Sequence, residues 1–282
     1  PDKENTESFI YVAQLLAKIN VNVPIIFHQN SVEGFLLLED FGSQCYLNQL
    51  TIENAPELYG RAFDALLLMQ SHSTLGHKSL PTYDQALLKR ELTIFEDWFL
   101  HDGLDTPIPV SLWSSLCDVL MNSALEQPQV CVHRDYHSRN LMFLTDDSPD
   151  IIDFQDAVIG PITYDLVSLL RDCYISWSPE LVEQWRNEYY QRLVDLDLIA
   201  VSPEQFKRWF DLMGLQRHLK AIGIFSRLHL RDGKSTYLND IPRTLTYVLA
   251  VCAQYPELSD FSQFLQEQVV PVYEAFTQSH AS

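Results

Sequence analysis

Two short segments of the chain hold the side chains that can do acid–base and metal chemistry. The first is His133–Asn140, with the sequence HRDYHSRN, and the second is IIDFQD, which contains Asp153. The carboxylate of Asp135 can orient an attacking hydroxyl and accept its proton. The amide oxygen of Asn140 and the carboxylate of Asp153 are hard oxygen ligands of the kind that Mg²⁺ prefers. Because phosphoryl transfer needs a positioned hydroxyl and neutralised phosphate charge, these residues predict that chemistry.

Apolar stretches on either side of these polar residues predict short strands that hold them in place. The strands are expected at Val130–Val132, Leu141–Leu144 and Asp150–Phe154. An isolated H-x-D usually closes a turn, but H-x-D-x-x-x-x-N between strands, followed by an Asp at the end of the next strand, is far more specific. The sequence therefore predicts a catalytic loop on a rigid floor.

A zinc site is an alternative interpretation of the same loop. His133 and His137 stand four residues apart, as two zinc ligands on a helix would. No Glu follows His133 as in H-E-x-x-H, and the segment is expected to be a loop. His133 is therefore expected to bond to backbone within the loop, and His137 to contact a substrate or to brace Asp135.

The rest of the chain predicts a mostly helical protein with a few short strands. Apolar spacing over Phe9–Ile19 indicates a first helix, with Asn5 or Thr6 as its N-cap. Two strands are expected at Ile25–Phe27 and Gly34–Leu38. Helical periodicity then marks residues 56–70, 84–100, 112–125 and everything beyond 163.

The composition of the chain narrows the classes of partner. The 282 residues are 46% apolar, and the formal net charge is −19. An acidic surface repels nucleic acid and anionic membranes, and no stretch is long and apolar enough to span a bilayer. The five cysteines form no C-x-x-C pair, which favours reduced thiols in a cytoplasmic protein. We therefore expect a small-molecule partner, and the sequence does not assign an oligomeric state.

The loop and the segment that follows it carry a specific resemblance. His133–Asn140 resembles the catalytic loop of the aminoglycoside phosphotransferase and choline kinase superfamily, and Asp153 is similar to its metal-binding Asp. Gly160–Leu166, with the sequence GPITYDL, is similar to the family's G-x-x-x-Y-D-L helix start. The resemblance implies ATP and Mg²⁺ as cofactors, Asp135 as the catalytic base, and Asn140 and Asp153 as metal ligands. It implies a structural role for Asp165, which would cap the helix or brace the loop.

The same resemblance implies an α+β, bilobal protein-kinase-like fold. Residues 1–44 would be a remnant of a small, truncated N-terminal lobe with the hinge, and residues 45–282 a mostly helical C-terminal lobe. The stretch GFLLLEDFG resembles the strand that leads to the hinge, so Glu39, Asp40 and Phe41 are expected to contact the nucleotide. Asp40-Phe41-Gly42 also spells a metal-binding triplet, but it precedes the catalytic loop, which favours a turn.

Two segments narrow the resemblance to one branch. Asp153–Leu166 and Arg231–Leu238 resemble bacterial anomeric sugar kinases of cell-wall recycling, which phosphorylate C1 of N-acetylmuramate and N-acetylglucosamine. Substrate contacts are expected from four residues near the loop, although a solvated helix face is an equal alternative for the last two: His137, Gln155, Arg171 and Asp172.

Three other functions stay open at this point. An amino-alcohol or aminoglycoside kinase would share every catalytic residue, and the acidic charge would suit a cationic substrate. A protein kinase is disfavoured because G-x-x-x-Y-D-L replaces an A-P-E-type segment. A non-catalytic pseudokinase that binds nucleotide is the third, because no Gly-rich loop and no phosphate-binding Lys is recognisable in the sequence.

Overall fold

The computed structural model describes residues 6–30, 32–72, 80–143 and 148–280. Leu144 and Asn5, which the sequence analysis placed in a strand and at a helix N-cap, lie outside these ranges. Among the described residues, no helix is both long and apolar enough to cross a membrane.

The chain divides into two compact units. The first comprises Pro1–Tyr83 and Pro128–Phe206, and the second comprises Asp84–Gln127 and Lys207–Ser282. Every predicted catalytic and metal-binding residue falls in the first unit. The lobe boundary predicted between residues 44 and 45 stays a prediction.

In its described residues, the first unit combines helices with six short strands. Its helices are α1 (Thr6–Lys18), α2 (Tyr46–Gln49), α3 (Ala55–Ser71), α6 (Tyr164–Leu170) and α7 (Pro179–Asp195). Its strands are β1 (Ile26–Asn30), β2 (Phe35–Leu38), β3 (Gln129–Val132), β4 (Leu141–Met142), β5 (Asp150–Ile151) and β6 (Val158–Pro161). They form three antiparallel pairs, β1–β2, β3–β6 and β4–β5.

The first helix and the first hairpin agree with the periodicity of the sequence. Helix α1 buries Val12, Ala13, Leu15 and Leu16, which recur at helical spacing. In the β1–β2 hairpin the turn contains Gly34 at φ 72°, a left-handed conformation that glycine adopts without strain. The predicted helix and both strands of the hairpin are therefore confirmed, with β1 extending further than expected.

The two strands that follow the catalytic loop, β4 and β5, are shorter than the sequence predicts. Leu141 pairs with Ile151, and Met142 pairs with Asp150. The predicted strand 150–154 ends at Ile151 because Asp153 adopts a left-handed φ of 66°, which turns the chain out of the ladder. Strands β4 and β5 thus place the end of the loop and Asp153 next to each other.

The second unit is helical throughout its described elements. It contains α4 (Gln85–Phe95), a π-helical turn (Glu96–His101), α5 (Val110–Leu125), most of α8 (Pro203–Leu230), a 3₁₀ turn (Ser235–Asp240), α9 (Ile241–Cys252), another 3₁₀ turn (Pro256–Leu258), α10 (Ser259–Phe264), a second π-helical turn (Leu265–Val269) and α11 (Val270–His280). Helix α8 meets α4 closely, because a Cβ on Gly223 would lie 2.5 Å from the carbonyl oxygen of Ile94. The buried Glu91 pairs with Lys220 at 3.0 Å across the same contact. The predicted helical bulk is confirmed.

Candidate active site

A buried carboxylate on α6 holds the first two residues of the catalytic loop. Asp165 is fully buried; its Oδ2 accepts the backbone N–H of His133 at 2.6 Å, and its Oδ1 accepts that of Arg134 at 3.0 Å. Arg134 has φ 79°, a left-handed conformation that is costly for a non-glycine residue and needs support from its surroundings. The expected bracing of the loop by Asp165 is therefore confirmed.

Both ring nitrogens of His133 have backbone partners, one within the loop and one just after β5. Its Nδ1 accepts the backbone N–H of Asp135 at 3.2 Å, and its Nε2 lies 3.0 Å from the carbonyl oxygen of Ile152. Since a carbonyl can only accept, Nε2 carries the proton. Burial lowers the pKa of His133 to about 4, so the ring is neutral at pH 7. Because both nitrogens have backbone partners, as expected, His133 is not available as a zinc ligand.

The side chain of Asn140 connects the backbone of Asp135 to the carboxylate of Asp153. Its Nδ2 donates to the carbonyl oxygen of Asp135 at 3.0 Å and to Oδ2 of Asp153 at 3.2 Å. Both partners are acceptors, so the atom facing them must be the amide NH₂. The amide oxygen is then the atom of Asn140 that can serve as a hard donor to a cation. These two bonds fix the orientation of the Asn140 amide, and metal binding by Asn140 stays a prediction.

Asp153 combines exposure with a strained backbone. Its side chain is exposed, its φ is 66°, and its Oδ1 accepts Nε2 of Gln155 at 2.9 Å. Strained conformations concentrate at functional sites, where neighbouring contacts hold them. Gln155 is therefore a residue that orients Asp153, and its predicted contact with a substrate stays a prediction. An amide oxygen and a carboxylate together fit Mg²⁺, which prefers oxygen ligands and keeps several of its waters.

Helix α1 contacts the segment that carries Asp153. The hydroxyl of Ser8 donates to the carbonyl oxygen of Gln155 at 2.7 Å, and the rings of Phe9 and Phe154 lie 4.8 Å apart. These contacts join residues more than 140 positions apart in sequence. The sequence does not predict the contact of Ser8, because nothing in a serine on an amphipathic helix indicates such a distant partner.

Asp172 corrects one of the sequence predictions. It is 1% exposed, and its Oδ2 accepts both the backbone N–H of Ser138 at 2.9 Å and its hydroxyl at 2.5 Å. Its Oδ1 accepts the backbone N–H of Tyr174 at 2.8 Å. A solvated helix face is wrong for this residue, and its predicted contact with a substrate stays a prediction. Asp172 instead fixes the catalytic loop to the segment after α6.

The segment after α6 presents a ring to the catalytic loop. The guanidinium carbon of Arg139 lies 3.5 Å from the ring centroid of Tyr174, and the ring of His137 meets the same ring edge-on at 5.2 Å. We call His137, Arg139 and Tyr174 the Arg139 patch. The sequence predicts a role for His137 but none for Arg139, because Tyr174, the partner of Arg139, is distant in sequence. Arg171 ends α6 and is half-buried, and its role toward a substrate stays a prediction.

The predicted hinge forms a compact turn. The backbone N–H of Glu39 donates to the carbonyl oxygen of Ile25 at 2.9 Å, and its carboxylate accepts the N–H of Ile25 at 3.2 Å. Oδ1 of Asp40 accepts the N–H of Gly42 at 2.8 Å, and Phe41 is buried. A carboxylate closing its own turn agrees with the interpretation of Asp40-Phe41-Gly42 as a turn. Nucleotide contacts by Glu39, Asp40 and Phe41 stay predictions.

Comparison with known proteins identifies the family. The model of the phosphotransferase enzyme family matches residues 1–198, more than half of the chain. The chain belongs to this family. This phosphotransferase shares 45% identity over 269 residues with the N-acetylmuramate/N-acetylglucosamine kinase of Pseudomonas aeruginosa, a match that covers 94% of this chain and 79% of that protein.

Solved structures support the fold of the phosphotransferase. An ADP-bound aminoglycoside phosphotransferase matches with a TM-score of 0.55 at 13% identity, covering 86% of this chain and 81% of that one. A choline kinase from Streptococcus pneumoniae matches with a TM-score of 0.59 at 12% identity, covering 87% and 81%. Identities this low show the fold alone. The predicted family, the α+β protein-kinase-like fold and the prediction of an enzyme are confirmed.

Proposed function

We propose that this phosphotransferase transfers the γ-phosphoryl group of ATP to the C1 hydroxyl of N-acetylmuramate or N-acetylglucosamine. The observation that carries the proposal is the hydrogen-bonded set in which Asn140 joins the backbone of Asp135 to the carboxylate of Asp153. The 45% identity to an N-acetylmuramate/N-acetylglucosamine kinase, over nearly the whole chain, supports the choice of acceptor.

Asp135 is the residue that acts on the acceptor hydroxyl. Its backbone is held at both ends, since its N–H donates to His133 and its carbonyl accepts from Asn140 and from the N–H of His137. A fixed backbone keeps the carboxylate in position to orient the hydroxyl and accept its proton. An anomeric hydroxyl is more acidic than an ordinary alcohol, so a carboxylate is a sufficient base for it.

Asn140 and Asp153 are the residues that would hold Mg²⁺. The bound ion supplies neutralisation of the negative charge on the transferring phosphate. The protein's own contribution is orientation: Asn140 is turned by two acceptors, and Asp153 is held by Asn140 and Gln155. We further propose that the turn at Glu39–Phe41 contacts the adenine ring, and that the enzyme works in the cytoplasm, in keeping with its five free cysteines.

A cationic acceptor is the second candidate. The net charge of −19 would attract choline or an aminoglycoside through long-range electrostatics. The same charge is found on many soluble proteins with other substrates, so it discriminates weakly. The exposed guanidinium of Arg139 beside the catalytic loop opposes a cation locally.

The deciding experiment measures Mg²⁺-dependent ADP release with N-acetylmuramate, N-acetylglucosamine, choline and kanamycin. We expect turnover on the amino sugars only, with ³¹P NMR placing the new phosphate on C1. Asp135→Asn should lower kcat by about 10²- to 10⁴-fold, the usual range for a lost general base. The matched control is Asp156→Asn, an exposed Asp in the same region, which should stay within about twofold of the wild type. Turnover on choline or kanamycin alone, or full activity of Asp135→Asn, would refute the proposal.

A further inference from the structure

An exposed cation lies directly beside the catalytic loop's metal-binding Asn. Arg139 precedes Asn140 in sequence, its side chain is exposed, and its guanidinium carbon lies 3.5 Å from the ring centroid of Tyr174. At this distance the planar guanidinium lies against the ring face. The N–H donors of a guanidinium lie in its plane, and a planar anion can accept two of them.

The Arg139 patch is held in place by buried contacts. Asp172, which is 1% exposed, accepts the N–H and hydroxyl of Ser138 from the loop and the N–H of Tyr174 from the opposite segment. Ser138, which precedes Arg139, and Tyr174 itself are therefore bonded to one carboxylate. A guanidinium that is already ordered on a fixed ring loses less conformational freedom when it binds a ligand.

Arg139 and Asn140 are neighbours in the loop, but their side chains contact different partners. Asn140 turns toward Asp153, whereas Arg139 turns toward Tyr174. In phosphoryl transfer the attacking and leaving oxygens lie roughly in line on opposite sides of phosphorus. The proposed function puts Asn140 and Asp153 on the nucleotide side, so we place the acceptor on the side of Arg139, whose side chain contacts a different partner.

Arg139 is a local positive charge on a protein whose net charge is negative. The chain has 38 acidic and only 19 basic residues, so its overall field repels an anionic acceptor. We propose that Arg139, oriented by Tyr174, binds a carboxylate on the acceptor, and that the enzyme therefore prefers an acidic amino sugar to a neutral one. The inference rests on the proposed function and adds to it the residue that selects between the two sugars.

The test compares kcat/KM for N-acetylmuramate, which carries a carboxylate, with kcat/KM for N-acetylglucosamine, which does not. In Arg139→Gln we expect the ratio of the two values to fall by about 10- to 100-fold, through a higher KM for N-acetylmuramate, as for one lost charge-assisted bidentate contact. Tyr174→Leu should lower the ratio to a smaller extent, and Tyr174→Phe should preserve it.

Arg192→Gln is the matched control. Arg192 also lies over an aromatic ring, 5.7 Å from the centroid of Phe63, but it pairs with Asp64 and Glu188 rather than facing the loop. Its ratio should equal that of the wild type within about twofold. An equal loss of kcat/KM on both sugars in Arg139→Gln would place Arg139 on the nucleotide or in the loop's framework, and unchanged kcat/KM on both sugars would make it a surface cation; either result overturns the inference.

A calorimetric measurement separates this inference from the proposed function. If the wild type phosphorylates neither sugar, the proposed function fails, and binding decides the inference alone. Tighter binding of N-acetylmuramate than of N-acetylglucosamine, weakened at least about tenfold in Arg139→Gln, would support it. Equal affinity for the two sugars, or no binding of N-acetylmuramate, would overturn it.

Discussion

Replacement of Asp165 by Asn tests whether one buried carboxylate sets the shape of the catalytic loop. Asp165 accepts two backbone N–H groups, from His133 at 2.6 Å and from Arg134 at 3.0 Å. An Asn at this position can accept one of them through its oxygen, while its NH₂ group faces the second N–H donor. The substitution changes neither the size nor the shape of the side chain, so its effect reports on hydrogen bonding.

The expected loss follows from these two contacts. Loss of one hydrogen bond to a charged group costs about 1.5–3 kcal/mol, and a buried N–H left without an acceptor adds a further penalty. We therefore expect the free energy of unfolding to fall by about 3 kcal/mol. Arg134 then loses part of the support for its left-handed conformation, and Asp135, the next residue, shifts with it. A displacement of about 1 Å can cost about 100-fold in rate, and we expect a loss of kcat of that order.

Urea unfolding and ADP release measure the two effects on the same preparation. Asp156→Asn, an exposed substitution of the same kind, is the control for the charge change alone. A second substitution checks the cause: Arg134→Gly in the Asp165→Asn background should recover about 1 kcal/mol of stability, because glycine adopts φ 79° without strain. If Asp165→Asn unfolds at the same urea concentration as the wild type and keeps its kcat, the reasoning about the loop is wrong.

Three further predictions concern other contacts. The pKa of His133 is lowered to about 4 by burial, so between pH 6.5 and 4 the unfolded chain binds a proton that the folded one does not. The free energy of unfolding should therefore fall by about 3 kcal/mol as the pH drops through that range, and urea titrations should show this slope flattened in His133→Asn. Gln155→Ala removes the donor to Oδ1 of Asp153 and should raise the Mg²⁺ concentration for half-maximal ADP release by about 10-fold, whereas an unchanged Mg²⁺ curve would show that Gln155 does not orient the ligand. Gly223→Ala would place a Cβ 2.5 Å from the carbonyl oxygen of Ile94, and an unfolding free energy within about 0.5 kcal/mol of the wild type would contradict the expected loss of about 2–4 kcal/mol.

The sequence predicted the catalytic loop well because that chemistry depends on local spacing. Asp135 and Asn140 are five residues apart, and Asp153 follows the next short strand, so their proximity needs only two antiparallel strands. The flanking apolar residues were sufficient to predict those strands.

The residues that hold and surround the loop were harder to predict because their partners are distant in sequence. Asp172 was interpreted as a substrate contact or a solvated residue, since a lone carboxylate after a helix gives no sign that it binds Ser138, 34 residues earlier. The stacking of Arg139 on Tyr174 was not predicted for the same reason, because the two residues are distant in sequence. Such contacts are set by how segments pack, which periodicity and motif spacing do not encode.

The hydrogen bond between Ser8 on α1 and the backbone of Gln155 has an evolutionary consequence. Ser8 donates to the main-chain carbonyl of residue 155, while the side chain of Gln155 is what contacts Asp153. A mutation at position 155 can therefore alter the surroundings of Asp153 and keep the bond to α1, and a mutation at position 8 can remove that bond and keep the contact between Gln155 and Asp153. Selection can adjust the surroundings of Asp153 and the contact with α1 one at a time, through single substitutions, in descendants of this enzyme.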